Sequence, residues 1–228
     1  MLKDQRSMVI AVTPAQAAEL KSILSEGPES IRRKLASPPS LRGSGWDLPT
    51  SAHVELLRGE LIRTFERGRM IVDLYRDGTL IVEGQIHRNF LAWSDKEDLQ
   101  LHPLALIEWV LNIMRFYQVV LEDFRTPPNE LQVRVELRNM HLAGRSTMLG
   151  AGPVHTFAPL GEGQRGAPAD SWVKDHRFEV SSYDPEKTAF ALIREIYAWF
   201  GYSEEQIPYT KNTPEGKAID SNNIANLR

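Results

Sequence analysis

The chain has 228 residues, of which 42% are hydrophobic and 25% charged, the composition of an ordinary globular protein long enough to bury a core without staples. Its 27 Lys+Arg and 30 Asp+Glu give a formal net charge of -3, against the net positive charge that carries non-specific nucleic-acid binding. There is no cysteine, which excludes disulfides, thiolate catalysis, Cys-type zinc sites and iron–sulfur ligation, and which suits the cytoplasm.

The first residues, Met1-Leu2-Lys3-Asp4-Gln5-Arg6, lack the apolar core and small-residue cleavage site of a signal peptide, so a cytoplasmic location is expected. Thr13-Pro14 before an Ala-rich stretch reads as a helix start, with Thr13 as N-cap and Pro14 at the first helical position, ending before Gly27-Pro28. A second short helix is predicted over residues 29–36. The Pro-, Ser- and Gly-rich residues 37–45 read as a linker, so residues 1–48 form a helical N-terminal appendage.

Residues 49–209 are expected to form an α+β core domain. A strand is predicted over residues 60–66. Residues 69–76 and 79–86 are β-rich runs separated by Asp77-Gly78, the pairing suited to a two-residue type I′ turn. That register sets Tyr75 against Leu80 and Leu74 against Ile81, with both faces of the hairpin covered.

His102-Pro103 precedes a long helix over residues 104–124, apolar around most of its circumference and therefore central. Glu108, Asn112, Arg115 and Gln118 argue against a membrane span there, and no membrane partner is expected. Glu108, Asn112 and Arg115 share the narrow polar stripe. Either they line a pocket or they make a solvated or buried structural pair.

Residues 131–138 alternate strictly, with Leu131, Val133, Val135 and Leu137 inward, as a strand with one solvated face does. Residues 143–171 read as a long loop, and another strand is predicted within 172–181. Asp184-Pro185 caps the last helix, whose apolar face is Ala189, Phe190, Ile193, Ile196, Tyr197 and Phe200, and Gly201 terminates it. Residues 210–228 read as a polar tail. The fold class is thus α+β: a small antiparallel or mixed sheet with a central hairpin, packed on a long central helix and a C-terminal helix.

No complete catalytic signature is present. Gly161-Glu162-Gly163-Gln164-Arg165-Gly166 matches G-x-G-x-x-G by letter, but the flanking Phe157-Ala158-Pro159-Leu160 and Ala167-Pro168-Ala169 fit neither the strand nor the helix that a nucleotide loop requires. No cofactor is expected. His141, His155, Asp170 and His176 flank the long loop, and a folded loop would bring them together as a His/carboxylate metal site; the plainer reading is solvated or singly bonded side chains. Arg32, Arg33 and Lys34, with Arg42 beyond, are the densest basic cluster. Residues 1–48 hold seven Lys/Arg against five Asp/Glu, a balance of +2, which suits either phosphate contact or a solvated helix face.

Met70-Ile71-Val72-Asp73-Leu74-Tyr75-Arg76-Asp77-Gly78-Thr79-Leu80, then Pro103-Leu104-Ala105-Leu106-Ile107-Glu108, then Ile196-Tyr197-Ala198-Trp199-Phe200-Gly201-Tyr202 with Ile207-Pro208-Tyr209, resemble a region found after the DNA-binding module in bacterial Schlafen-type Alba-like proteins. The segment before Ser51 is too short for that module. The resemblance, over residues 55–209, therefore implies a companion domain of regulatory or defence proteins, with no catalytic residues and no DNA-binding activity carried over.

Three readings of function follow. The first is a non-catalytic interaction domain with a protein partner or a second copy of itself. The second is a metal-assisted hydrolase or nuclease built on His141, His155, Asp170 and His176. The third is direct nucleic-acid binding through Arg32, Arg33, Lys34 and Arg42.

Overall fold

A computed structural model describes residues 5–43, 46–50, 54–88, 90–93, 99–150 and 164–227. The chain begins with β1 (Ser7–Pro14) and α1 (Ile31–Ala36), then β2 (Glu55–Leu57), β3 (Leu61–Glu66), β4 (Met70–Tyr75) and β5 (Leu80–Gln85). After β6 (Ala92–Trp93) and β7 (Gln100–Leu101) comes the long α2 (Pro103–Glu122), followed by β8 (Glu130–Arg138). Four two-residue strands, β9 (His141–Leu142), β10 (Arg145–Ser146), β11 (Met148–Leu149) and β12 (Arg165–Gly166), precede β13 (Trp172–Glu179). The chain closes with α3 (Pro185–Trp199), β14 (Thr210–Thr213), β15 (Gly216–Ile219) and α4 (Ser221–Ala225).

The α+β class holds. Its centre is a seven-stranded sheet in the order β13-β8-β1-β5-β4-β3-β2, and every neighbouring pair in it is antiparallel. A small sheet of β6, β7, β11 and β12 contains the parallel β7/β11 pair.

The N-terminal piece is the largest departure from the sequence reading. Residues 7–14 are a central strand, paired with β5 on one side and β8 on the other. Thr13 and Pro14 end that strand and cap no helix. Met8, Ile10 and Val12 are fully buried, so the run behaves as an interior strand whose burial outweighs a local cap signal. The first helix is α1, where the Ser30 side chain accepts from Arg33 N–H as an N-cap does.

The central hairpin lies where Asp77-Gly78 places it, with a register one residue different from the two-residue turn. Tyr75 N–H donates to Thr79 O at 2.8 Å and Gly78 N–H to Tyr75 O at 2.9 Å, which closes a three-residue loop. Gly78 has φ +84, the left-handed position of a turn with a G1 bulge. Leu74 therefore faces Leu80, and Asp73 faces Ile81. A one-residue slip exchanges the faces of a strand. Met70, Val72, Leu74, Leu80 and Val82 enter the core, whereas Ile71, Tyr75 and Ile81 lie half-buried on the other side, so among the described residues only one face of the hairpin is packed over.

The helices fill the covered side. α2 crosses the sheet close to Gly84, where an added Cβ would come within 2.6 Å of the Trp109 ring. The Tyr117 hydroxyl donates to Gly78 O at 3.2 Å, tying the helix to the hairpin turn. α2 is apolar enough to cross a membrane by length and composition, and its apolar side chains other than Val119 and Leu121 are buried in the core. In α3, Asp184 accepts from Glu186 and Lys187 N–H, and all six expected apolar residues are buried. The C-terminal segment is a β14/β15 hairpin and a one-turn helix, not a polar tail. Ile219 and Ile224 are fully buried and β15 lies against α3.

Candidate interaction surface

The pleat of the seven-stranded sheet sends alternate residues to its uncovered face. The ladder there reads as rows across the strands. One row runs Phe65, Ile71, Glu83, Val9, Glu136 and Val173, and the next runs Glu55, Arg63, Asp73, Ile81, Ala11, Arg134 and Asp175. A third includes Leu57, Leu61 and Tyr75.

These rows divide the face into two halves. The β2–β5 half is mainly apolar, with Phe65 50% exposed beside half-exposed Leu57, Leu61, Ile71, Tyr75 and Ile81. At its centre Arg63 grips Asp73 through two bonds of 2.6 Å, and the carboxylate raises the guanidinium's pKa. The β8–β13 half is charged, with Arg134 bidentate on Asp175 at 2.8 and 3.0 Å and Arg138 on Glu136 at 2.7 Å. The bond from Arg134 holds the Asp175 carboxyl below its ordinary pKa. Paired charges of this kind leave little field for a polyanion.

A second polar assembly lies beneath the sheet, where Arg42, Trp46 and Asp47 meet α2 and its N-cap. Glu108 and Asn112 are fully buried, so the polar stripe of α2 is a structural cluster. Arg42 Nε donates to Glu108 Oε2 at 2.9 Å and Arg42 Nη1 to Leu227 O at 3.1 Å. Asn112 Nδ2 donates to Asp47 Oδ1 at 3.1 Å, and Trp46 Nε1 to Phe90 O at 2.9 Å. The Arg42 guanidinium sits 5.5 Å from the Trp46 ring centroid, and Trp46 stacks on His102 at 5.8 Å. His102 caps α2 by accepting Ala105 N–H at Nδ1, which requires that nitrogen to be unprotonated. Burial, with Arg42 nearby, lowers its pKa to about 4.

The residues expected to bind nucleic acid are dispersed. Arg32 bonds Glu26 at 3.0 Å and Val54 O at 3.0 Å, Lys34 lies 3.9 Å from Glu122, and Arg42 is inside the cluster above. Arg33 is exposed. Of the metal candidates, His141 and Asp170 meet through the backbone, where His141 N–H donates to Asp170 Oδ1 at 2.9 Å, and the His141 ring nitrogen is turned to Ala167 O at 2.8 Å. His176 stands on β13, stacked on Phe178 at 6.0 Å. His155 and residues 161–163 of the glycine-rich motif lie outside the described residues. Among the described residues no group of three His, Cys, Asp or Glu is placed to hold a metal ion. Alternation over residues 131–138 marks the solvated face of β8, whereas Leu61 and Phe65 face outward and Ile62 and Thr64 inward, so the apolar half of the open face has no alternation to announce it.

No family model, no curated protein and no solved structure matches the chain.

Proposed function

We propose that this chain is a non-catalytic interaction domain of a bacterial regulatory or defence-type protein, acting in the cytoplasm through the apolar half of its open sheet face. The observation that carries the reading is the contiguous patch of Phe65, Ile71, Leu61, Tyr75 and Ile81 on hydrogen-bonded strands. A half-exposed aromatic on a rigid ladder is a ready anchor, because binding there orders little. Glu55, Asp73 and Glu83 against Arg63 leave this half acidic by two charges, so the matching partner is a protein element with an apolar centre and a basic rim. The resemblance to the companion region of Schlafen-type Alba-like proteins supports the same reading, since its hairpin builds this patch.

The test is a paired capture with the wild-type protein and a Phe65→Ala variant, followed by titration of the purified partner. Phe65 is exposed, so the variant keeps the fold, and binding is expected to weaken about tenfold or more. Equal affinity for both proteins would refute the assignment of this face.

A further inference from the structure

The two ends of the sheet differ in what they leave unpaired. β2 is three residues long, whereas β13 is an eight-residue terminal strand. Its residues 173–175, 177 and 179 are exposed. Among the described residues no strand pairs with its outer edge, and a strand of that length at an open edge is a template for another strand.

The phase of the ladder shows which groups are available. Val180 N–H donates to Asn129 O at 2.9 Å, in line with the β8/β13 register that pairs Glu179 with Glu130. Hydrogen-bonded pairs alternate along an antiparallel ladder, so residues 172, 174, 176 and 178 bond inward to β8. The N–H and C=O groups of Val173, Asp175, Arg177 and Glu179 point outward.

We propose that β13 pairs antiparallel with β13 of a second copy of this chain, about a two-fold axis at His176. A two-fold pairing must oppose residues symmetrically about one position, and the charges along Trp172–Glu179 choose among the positions. An axis at Lys174, at Asp175 or at Arg177 sets that residue against its own copy, like charge on like. An axis at His176 opposes Asp175 to Arg177 twice, Val173 to Glu179 twice and Lys174 to Phe178 twice. It also uses all of the strand but Trp172 and matches outward-pointing backbone groups with one another. Asp175 would then lie between its own Arg134 and Arg177 of the second copy. The result is a continuous fourteen-stranded sheet, twice the seven strands of one chain. This pairing is independent of the apolar half of the open face, which lies on strands β2–β5.

The absence of native cysteine makes the register directly testable in the full chain. In the proposed pairing His176 faces its own counterpart at a non-hydrogen-bonded position, where Cα atoms are about 4.5 Å apart, within disulfide reach. Val173 lies opposite Glu179, so the two copies of Val173 are roughly 20 Å apart at about 3.4 Å per residue. Under mild oxidation His176→Cys is expected to form a covalent dimer and Val173→Cys to remain monomeric. Sedimentation of the unmodified protein supplies the second measurement, with dimerisation expected to weaken about tenfold in Arg177→Glu. Mixing Arg177→Glu with Asp175→Lys restores both opposite-charge pairs and is expected to recover a heterodimer. A protein that stays monomeric at high micromolar concentration, or cysteine variants that cross-link equally at 173 and 176, would overturn the proposal.

Discussion

Two arginine–carboxylate pairs of similar length sit in opposite surroundings. Arg42 meets Glu108 at 2.9 Å where the carboxylate side chain is fully buried, while Arg134 meets Asp175 at 2.8 Å with both side chains about half in solvent. The chemistry is the same and the roles differ. Inside, the guanidinium neutralises a carboxylate that water cannot reach, and so fastens Arg42 and the Leu227 carbonyl to α2. Outside, the pair stands in high dielectric, contributes little to folding, and sets the charge pattern that another molecule meets.

Breaking the buried pair gives the largest expected effect. Arg42→Ala leaves Glu108 without its guanidinium, and the loss should be about 3–5 kcal/mol in denaturant unfolding; a loss no larger than that of an exposed pair would show that Glu108 is compensated elsewhere.

Acid tests the same cluster through His102. The unfolded side chain titrates near its ordinary 6.5 and the folded one at about 4, so between those values the unfolded chain holds the extra proton. Stability contributed by the neutral imidazole is complete above about pH 6.5 and falls as the pH drops toward 4, by roughly 3 kcal/mol in total. Burial also lowers the pKa of His176, which adds a loss of the same sign. His102→Asn keeps a capping acceptor and removes one titration. Unfolding measured between pH 7 and pH 5 should be visibly flatter for that variant, and an unchanged slope would move the effect to another group.

Arg134→Ala sharpens the other side of the comparison. Its melting temperature should match the wild type, since the pair is solvated, while self-association should change its dependence on salt.

Local chemistry made much of the scaffold legible in the sequence. Asp184-Pro185 and Gly201 bracket α3 because the cap and the left-handed terminator are made by neighbouring residues. Leu131, Val133, Val135 and Leu137 alternate because β8 has one open face. The features that escaped depend on distant residues. Met8–Val12 carries no clear alternation, since Val9 is also almost buried, and the Thr13-Pro14 signal is overridden by partners near residues 81 and 134. The hairpin register turns on whether Arg76 joins the loop, which Asp77-Gly78 alone does not decide. Glu108 reads as part of a polar stripe until Arg42, distant in sequence, is placed beside it. The β13 edge becomes visible only once the strand order is known.

The placement of β1 also sets an order of assembly during synthesis. The strands β2 to β5 are joined by short turns and can zip as soon as they emerge. β1 leaves the ribosome before all of them, yet its partners are residues 80–85 and 131–138. It must wait, with Met8, Ile10 and Val12 uncovered until α2 is made and with one backbone edge open until β8 arrives. Contacts so far apart in the chain make folding slow. During that interval β1 is an apolar run with unpaired backbone, the kind of segment that aggregates in a partly folded chain.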